Sequence, residues 1–222
     1  MGEKITELLA PLNTSVLQAA CVNRVIGRKI CVLQKISSTN DVALEWGERE
    51  EKEGAVVFAE SQTAGRGQFG RSWHSSSRHG IWCSILLRPN FSPRAAAYLT
   101  PLATMAVACA LHQTIGIRPS LKLPNDLYFL GGKVCGILTE ARTGSQFFAV
   151  IGIGINVNQE EFPPMLQGIA TSLRKETGKL YNRTQVARTV LLEMNRLYDS
   201  MGHGFEEIQS LYESWPRYGI PL

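Results

Sequence analysis

Between residues 119 and 157 short apolar runs alternate with Gly, Asn and Asp turns, whereas the flanking stretches carry apolar residues at helical spacing. The short runs predict strands over 119–123, 127–130, 133–141 and 147–157, with Gly131-Gly132 as the hairpin turn between the second and third. Earlier strands are expected at 30–33, 55–60 and 81–87. The polar segment Ser37-Ser-Thr-Asn-Asp41 favours capping and predicts a helix through about residue 52, with Val42, Leu44 and Trp46 partly inward. A long helix is expected over 93–115, where Pro101 marks either a kink or the true start. Residues 184–201 predict an amphipathic helix because Val186, Val190, Leu191, Met194 and Leu197 share one face; a short helix is expected at 205–215. The lead, 1–28, is helical in part through Ile5, Leu8, Leu9, Val16, Leu17 and Ala20, and 166–172 has no assigned element. Adjacent strands in the middle argue for antiparallel pairing, so the expected fold class is α+β: a mixed, largely antiparallel central sheet with flanking helices.

With 222 residues, 44% apolar and 19% charged, the chain is able to bury the core of one large domain. The expected organisation is a lead segment, 1–28, too short for a winged helix-turn-helix, followed by one unit over 29–222. A formal charge of +4 comes from scattered cations, and without a basic stripe or recognition helix no DNA partner is expected. The five cysteines form no C-x-x-C pair and mostly sit in apolar surroundings, which suits reduced thiols. Residues 1–20 lack a basic region followed by an apolar run, and the stretch 95–117 is broken by Pro101, His112 and Gln113. Neither a secretory signal nor a membrane partner is expected, and the expected location is the cytoplasm.

Candidate chemistry centres on Thr63-Ala-Gly-Arg-Gly-Gln-Phe-Gly-Arg-Ser-Trp73, a loop without apolar period. Glycines let backbone N–H groups approach an anion, and arginines add charge and paired donors. Gly65, Gly67 and Gly70 match G-x-G-x-x-G after a strand, but dinucleotide binding needs a helix at the third glycine, and Arg71 to Gly80 has turn composition. The same missing helix, and Arg71 in place of lysine, exclude the P-loop. Taken alone, the loop is also readable as a solvated surface turn.

Three further segments are more polar than packing requires. Lys122-Leu-Pro-Asn-Asp126 sets a cation, an amide and a carboxylate around a proline turn. Lys133 opens a strand-like run through Gly136 and Ile137 to Glu140, and Gly152-Ile-Gly-Ile-Asn156 is a strand with two bare positions, a sign of close approach. Arg66, Arg71, Lys122 and Lys133 thus fall in separate motifs, a set suited to binding and turning over a triphosphate.

Ser38-Thr39-Asn40, Gln62 with the Gly-Arg-Gly loop through Trp73, Lys122-x-Pro-Asn-Asp126, Lys133-x-x-Gly-Ile-Leu-x-Glu140 and Gly-Ile-Gly-Ile-Asn156 occur in one order and spacing. Over roughly 28–220 the chain resembles the biotin protein ligase family, and in particular its catalytic domain. The resemblance implies a two-step, ATP-dependent and AMP-forming reaction: biotin and MgATP give biotinyl-5′-adenylate and pyrophosphate, and biotin is then transferred to a lysine of a biotin carboxyl carrier protein of the acetyl-CoA carboxylase type. It implies catalytic roles for Lys133, bridging carboxylate and α-phosphate, and for Arg66. Biotin would be bound by Ser38, Thr39, Asn40, Gln62, Gly65, Arg66, Lys133, Gly136 and Ile137. ATP or the adenylate would meet Gly67, Arg71, Trp73, Lys122, Asn125, Asp126, Lys133 and Asn156, with Asp126 also the candidate Mg²⁺ ligand.

Departures from the family pattern carry expectations of their own. Gln68 and Phe69 replace basic residues, which thins the charge over the adenylate, and Leu123 replaces a tryptophan. The chain ends at Leu222, where family members usually enter a small C-terminal β-barrel, so that barrel is expected to be absent. An exposed strand edge would support a homodimer. Two other functions compete: a lipoate- or octanoate-type ligase, whose Arg-Arg-x-Ser-Gly-Gly-Gly segment is missing here, and a catalytically impaired module that binds biotin or nucleotide.

Overall fold

The computed structural model describes residues 8–89, 93–143 and 146–219; the expected contribution of Ile5 lies outside them. Seven strands form one sheet in the order β1-β2-β3-β7-β6-β5-β4. They are β1 (Lys29–Ile36), β2 (Ala55–Gln62), β3 (Gly80–Leu87), β4 (Ser120–Lys122), β5 (Asp126–Phe129), β6 (Gly132–Thr143) and β7 (Phe147–Asn156). Only β1 and β2 run parallel, and every other pair is antiparallel. The expected mixed, largely antiparallel sheet is therefore present.

Helices cover the two faces unequally. On one face α1 (Thr14–Ala20), α3 (Leu99–Ile115), α5 (Arg183–Ser200) and α6 (Glu206–Ser214) pack around the main core, while the short α4 (Leu173–Thr177) adds Leu173 to it. Helix α3 is apolar all round and buried, as a central helix must be. Pro101 sits in its first turn, where a missing N–H costs no helical bond, so it marks the start and not a kink. Gly116 ends the helix at φ 77°. The lead is part of the same core: Leu12, Leu17, Cys21 and Ile26 are buried there. It is pinned by Glu60 and Arg183, an ion pair 2.8 Å apart and 1% exposed on each side: Glu60 Oε1 accepts from Leu12 N, and Arg183 Nη2, the nitrogen of the ion pair, also donates to Ala10 O. Among the described residues no helix is long and apolar enough to cross a membrane.

The opposite face carries α2 (Thr39–Glu48) and a smaller cluster of Ala43, Leu44, Ala55, Val57, Leu86, Phe148 and Val150. The helix stops at Glu48 rather than near 52, because every residue from Arg49 to Glu53 is charged and Glu50 takes φ 57°. Along β7 the residues of this face read Phe148, Val150, Gly152, Gly154, Asn156. Bulk under α2 thus gives way to bare backbone beyond its N-terminus, and there the sheet opens into a cavity.

Candidate active site

A cavity of about 360 Å³ lies over this bare part of the sheet. All the predicted site residues line it except Gly65, which is buried at the base of the glycine loop. There the Trp73 N–H donates to the Gly65 carbonyl at 2.8 Å, and a side chain at 65 would run into the Trp73 carbonyl. The loop itself is a small hairpin with an Arg66–Ser72 bridge. Within this hairpin the Gly67 N–H is taken by the Arg71 carbonyl at 2.7 Å.

One end of the cavity is a fixed polar network. Ser38 is the N-cap residue of α2 by position, yet its hydroxyl makes no capping bond, which leaves it to the cavity. Gln62 Oε1 accepts from Thr39 N at 2.7 Å, and Gln62 Nε2 donates to Ser75 Oγ at 2.7 Å. Ser84, fully buried on β3, donates to Asn40 Oδ1 at 2.5 Å, and its oxygen lies 2.7 Å from the Thr39 hydroxyl. Asn40 Nδ2 donates in turn to Glu140 Oε2 at 2.7 Å. Satisfied on both sides, these amides have one orientation each.

The middle is a glycine floor beside an indole. Trp82, Gly154, Gly136 and Asp126 are register partners in a row across β3, β7, β6 and β5. Trp73 lies against this row: a Cβ on Gly154 would come within 2.6 Å of its ring, and one on Gly136 within 2.9 Å. Its ring meets Trp82 edge-on at 6.3 Å, and its Nε1 is buried without a hydrogen-bond partner among the described residues. Cys83 adds an inert thiol, pushed up to about 12 by burial.

Lys133 reaches this floor only because β6 is irregular. In a regular ladder Gly136 and position 134 share a face and residue 133 points to the opposite one. A bulge between Leu127 and Tyr128 makes Tyr128 face Lys133 while Asp126 faces Gly136. Lys133 joins the cavity face as a result, and Val134 enters the core. The displaced backbone is taken up by 169–171, the stretch without an assigned element: Lys133 N donates to Ile169 O at 2.8 Å, and Thr171 N to Lys133 O at 3.0 Å. The Lys133 ammonium lies 2.7 Å from Asp126 Oδ2 and 5.3 Å from the Trp73 ring centre.

At the mouth stand Arg66, Arg71 and Lys122. Arg66 is ion-paired with Asp41 and, at 2.9 Å, with Glu140. Burial alone would raise the Glu140 carboxyl; hydrogen bonds from Asn40 and Arg66 and the Arg66 charge outweigh it and hold it below its ordinary range. Two predicted residues are engaged in architecture. Asn125 Nδ2 donates to Ile137 O at 2.7 Å across the proline turn, and Asn156 accepts from Gln159 at 3.0 Å.

Sequence reasoning missed Ser84 and Ser75, and it quoted Glu140 without giving it a role. Ser84 had a signal, as the one polar residue of Ile81-Trp-Cys-Ser-Ile-Leu-Leu87. Nothing local marked Phe162, Leu166 and Ile169 as cavity wall.

A glycine-paved cavity with a fixed amide network at one end and a lysine turned inward by a bulge has the form of a small-molecule site. The chain belongs to the biotin/lipoate A/B protein ligase family, whose model matches residues 32–158. It is 38% identical over 219 residues to the bifunctional ligase/repressor BirA of Bacillus spizizenii, covering 96% of this chain and 67% of that protein. It is 35% identical over 172 residues to the biotin–[acetyl-CoA-carboxylase] ligase of Mycobacterium tuberculosis, covering 75% of this chain and 63% of that one. The fold is similar to that of the biotin protein ligase from Aquifex aeolicus in complex with biotin and ATP, with a TM-score of 0.75, 34% identity, and coverage of 86% of this chain and 79% of that one.

Proposed function

We propose that the chain is an ATP-dependent biotin–protein ligase, which forms biotinyl-5′-adenylate and then transfers biotin to a lysine of a carboxyl carrier protein in the cytoplasm. The observation that carries this reading is Lys133, turned by the bulge into the cavity shared by the amide network and the cationic mouth. A neutral ureido head suits directed partners such as Ser38, Thr39 and Gln62, and the apolar ring and chain suit the glycine floor beside Trp73. The carboxylate of such a ligand then ends near the Lys133 ammonium.

In the first step a biotin carboxylate oxygen attacks the α-phosphorus. The bond from that phosphorus to the bridging oxygen breaks, and pyrophosphate leaves with the electron pair. Lys133 lowers the repulsion between the two anions and stabilises charge gathering on the phosphoryl oxygens. Holding both reactants together removes a barrier of up to about 7–11 kcal/mol in favourable intramolecular cases. In the second step the carrier's neutral lysine amine attacks the acyl carbon; the acyl–oxygen bond breaks, AMP leaves, and the amine releases a proton. Asp126 Oδ1, buried and without a hydrogen-bond partner among the described residues, fits an oxygen-seeking divalent cation such as Mg²⁺. That ion, when bound, supplies neutralisation of phosphate charge; among the described residues no three His, Cys, Asp or Glu would hold it alone.

The family description also covers lipoate ligases. A relative named for biotin ligation, at 35% identity over 75% of this chain, and a similar structure holding biotin and ATP, at 34% identity, favour biotin. Biotin-dependent exchange of labelled pyrophosphate into ATP tests the reading. Exchange with biotin supports it, exchange with lipoate alone replaces the substrate, and no exchange with either acid overturns it in favour of a binding module.

A further inference from the structure

The cations of the cavity fall into two kinds. Lys133 and Arg66 are held by carboxylates, which cancel part of their charge. Lys122 and Arg71 make no ion pair among the described residues. Lys122 is nevertheless held in place. Its ammonium lies 5.2 Å from the centre of the Tyr128 ring and 5.6 Å from that of Tyr218, and the two rings are 4.3 Å apart.

An aromatic face attracts an ammonium through its quadrupole without delivering a negative charge that a phosphate would have to displace. Two tyrosines therefore fix the position of Lys122 and leave its full charge to a ligand, which a carboxylate would not do. Resting on the ligase reading above, we propose that Tyr128 and Tyr218 are positioning residues that hold Lys122 against the polyphosphate end of ATP, where the departing pyrophosphate forms.

Tyr218 comes from far along the chain, and its backbone is secured. Leu121 N donates to Pro216 O at 2.7 Å, and Tyr218 N donates to Leu121 O at 3.0 Å, so residues 216–218 line the outer edge of β4. The Tyr212 hydroxyl donates to Pro124 O at 2.8 Å, and Trp215 Nε1 donates to Pro119 O at 2.7 Å. The first braces the turn that follows Lys122, and the second fixes the start of β4. The segment after α6 thus contributes to the nucleotide side of the site although none of its described residues lines the cavity.

The test uses Tyr218, which is 46% exposed and tolerates substitution better than the buried Tyr128. Biotin-dependent pyrophosphate exchange gives KM for ATP and kcat, and calorimetry without nucleotide gives biotin affinity. Tyr218→Ala is expected to raise KM for ATP roughly three- to tenfold, with biotin affinity unchanged. Tyr218→Phe, which keeps the aromatic face, should restore the wild-type KM. In a Lys122→Met background Tyr218→Ala should have no further effect, since both changes remove one interaction. An unchanged KM in Tyr218→Ala, a Phe variant as impaired as the Ala variant, or an equal effect in the Lys122→Met background overturns the inference and leaves the ligase reading standing. Wild-type protein that binds biotin but exchanges nothing sinks that reading, and this inference with it.

Discussion

Asp126 Oδ2 lies 2.7 Å from Lys133 Nζ, and the two share a face of the sheet only through the bulge at Leu127 and Tyr128. The carboxylate holds the ammonium over the glycine floor, and its other oxygen is buried without a hydrogen-bond partner among the described residues. Asp126→Asn keeps the shape but loses the charge that orients Lys133. Pyrophosphate exchange should fall by about tenfold or more, as when an aligned electrostatic group is lost from a transfer site, while biotin affinity in calorimetry changes little. Full exchange in this variant would show that Lys133 needs no such partner.

Gly152 is bare because Asn40 packs directly on it. An alanine there would displace Asn40 from Ser84 and Glu140, breaking bonds of 2.5 Å and 2.7 Å. A loss of about 1–3 kcal/mol in stability is expected from buried polar groups left unpaired. Biotin affinity should drop with it, because Ser84 also holds Thr39. Thermal melting and calorimetry on Gly152→Ala measure the two effects, and a variant with native values for both would disprove the network's role.

Glu140 ties Asn40 to Arg66, and its carboxyl is held below its ordinary value of 4.5 against the opposing effect of burial. A lowered folded-state value means the stabilisation is complete above the unfolded-state value and is lost as pH falls through the folded-state one. Glu140→Gln should therefore melt below wild type at pH 7, by about 2–4 °C for a loss near 1 kcal/mol. The gap should close as pH drops below 4.5. A gap that stays constant across that window would assign the loss to packing instead of charge.

Gln68 stands on the loop at the cavity wall, where a basic residue would add charge over the adenylate. Gln68→Arg is expected to slow escape of biotinyl-adenylate by about tenfold or more, the lower end of the roughly 1.5–3 kcal/mol typical of a hydrogen bond to a charged group. Rapid-quench measurement of free against retained adenylate tracks this. Equal retention in both proteins would mean that the loop closes without help from position 68.

Much of the fold was legible from pattern alone. The alternation between 119 and 157 gave antiparallel strands, and the Gly131-Gly132 turn joins β5 to β6, with Gly132 at φ 137°. The polar motifs named the cavity residues, because a polar or bare position in an apolar run has a cost that packing alone does not explain. What stayed hidden depends on relations between strands. A one-residue bulge decides which face Lys133 takes, and no property of residues 127–134 announces it. The stretch after Phe162 was equally silent, since its order comes from bonds to the Lys133 backbone rather than from a period of its own. The Arg71 partner of the Gly67 N–H was hidden for a similar reason, because the hairpin the loop forms sets it.

In the ligase reading, Lys133 is the cation at which the biotin carboxylate and the α-phosphate meet. Biotin-dependent pyrophosphate exchange by Lys133→Ala, alongside wild type and with the fold checked by melting temperature, measures this most directly. Exchange should fall by about 10²-fold or more, the scale for removing a group that stabilises developing charge, in a protein that melts like wild type and still binds biotin. Exchange within a few-fold of wild type would contradict the account.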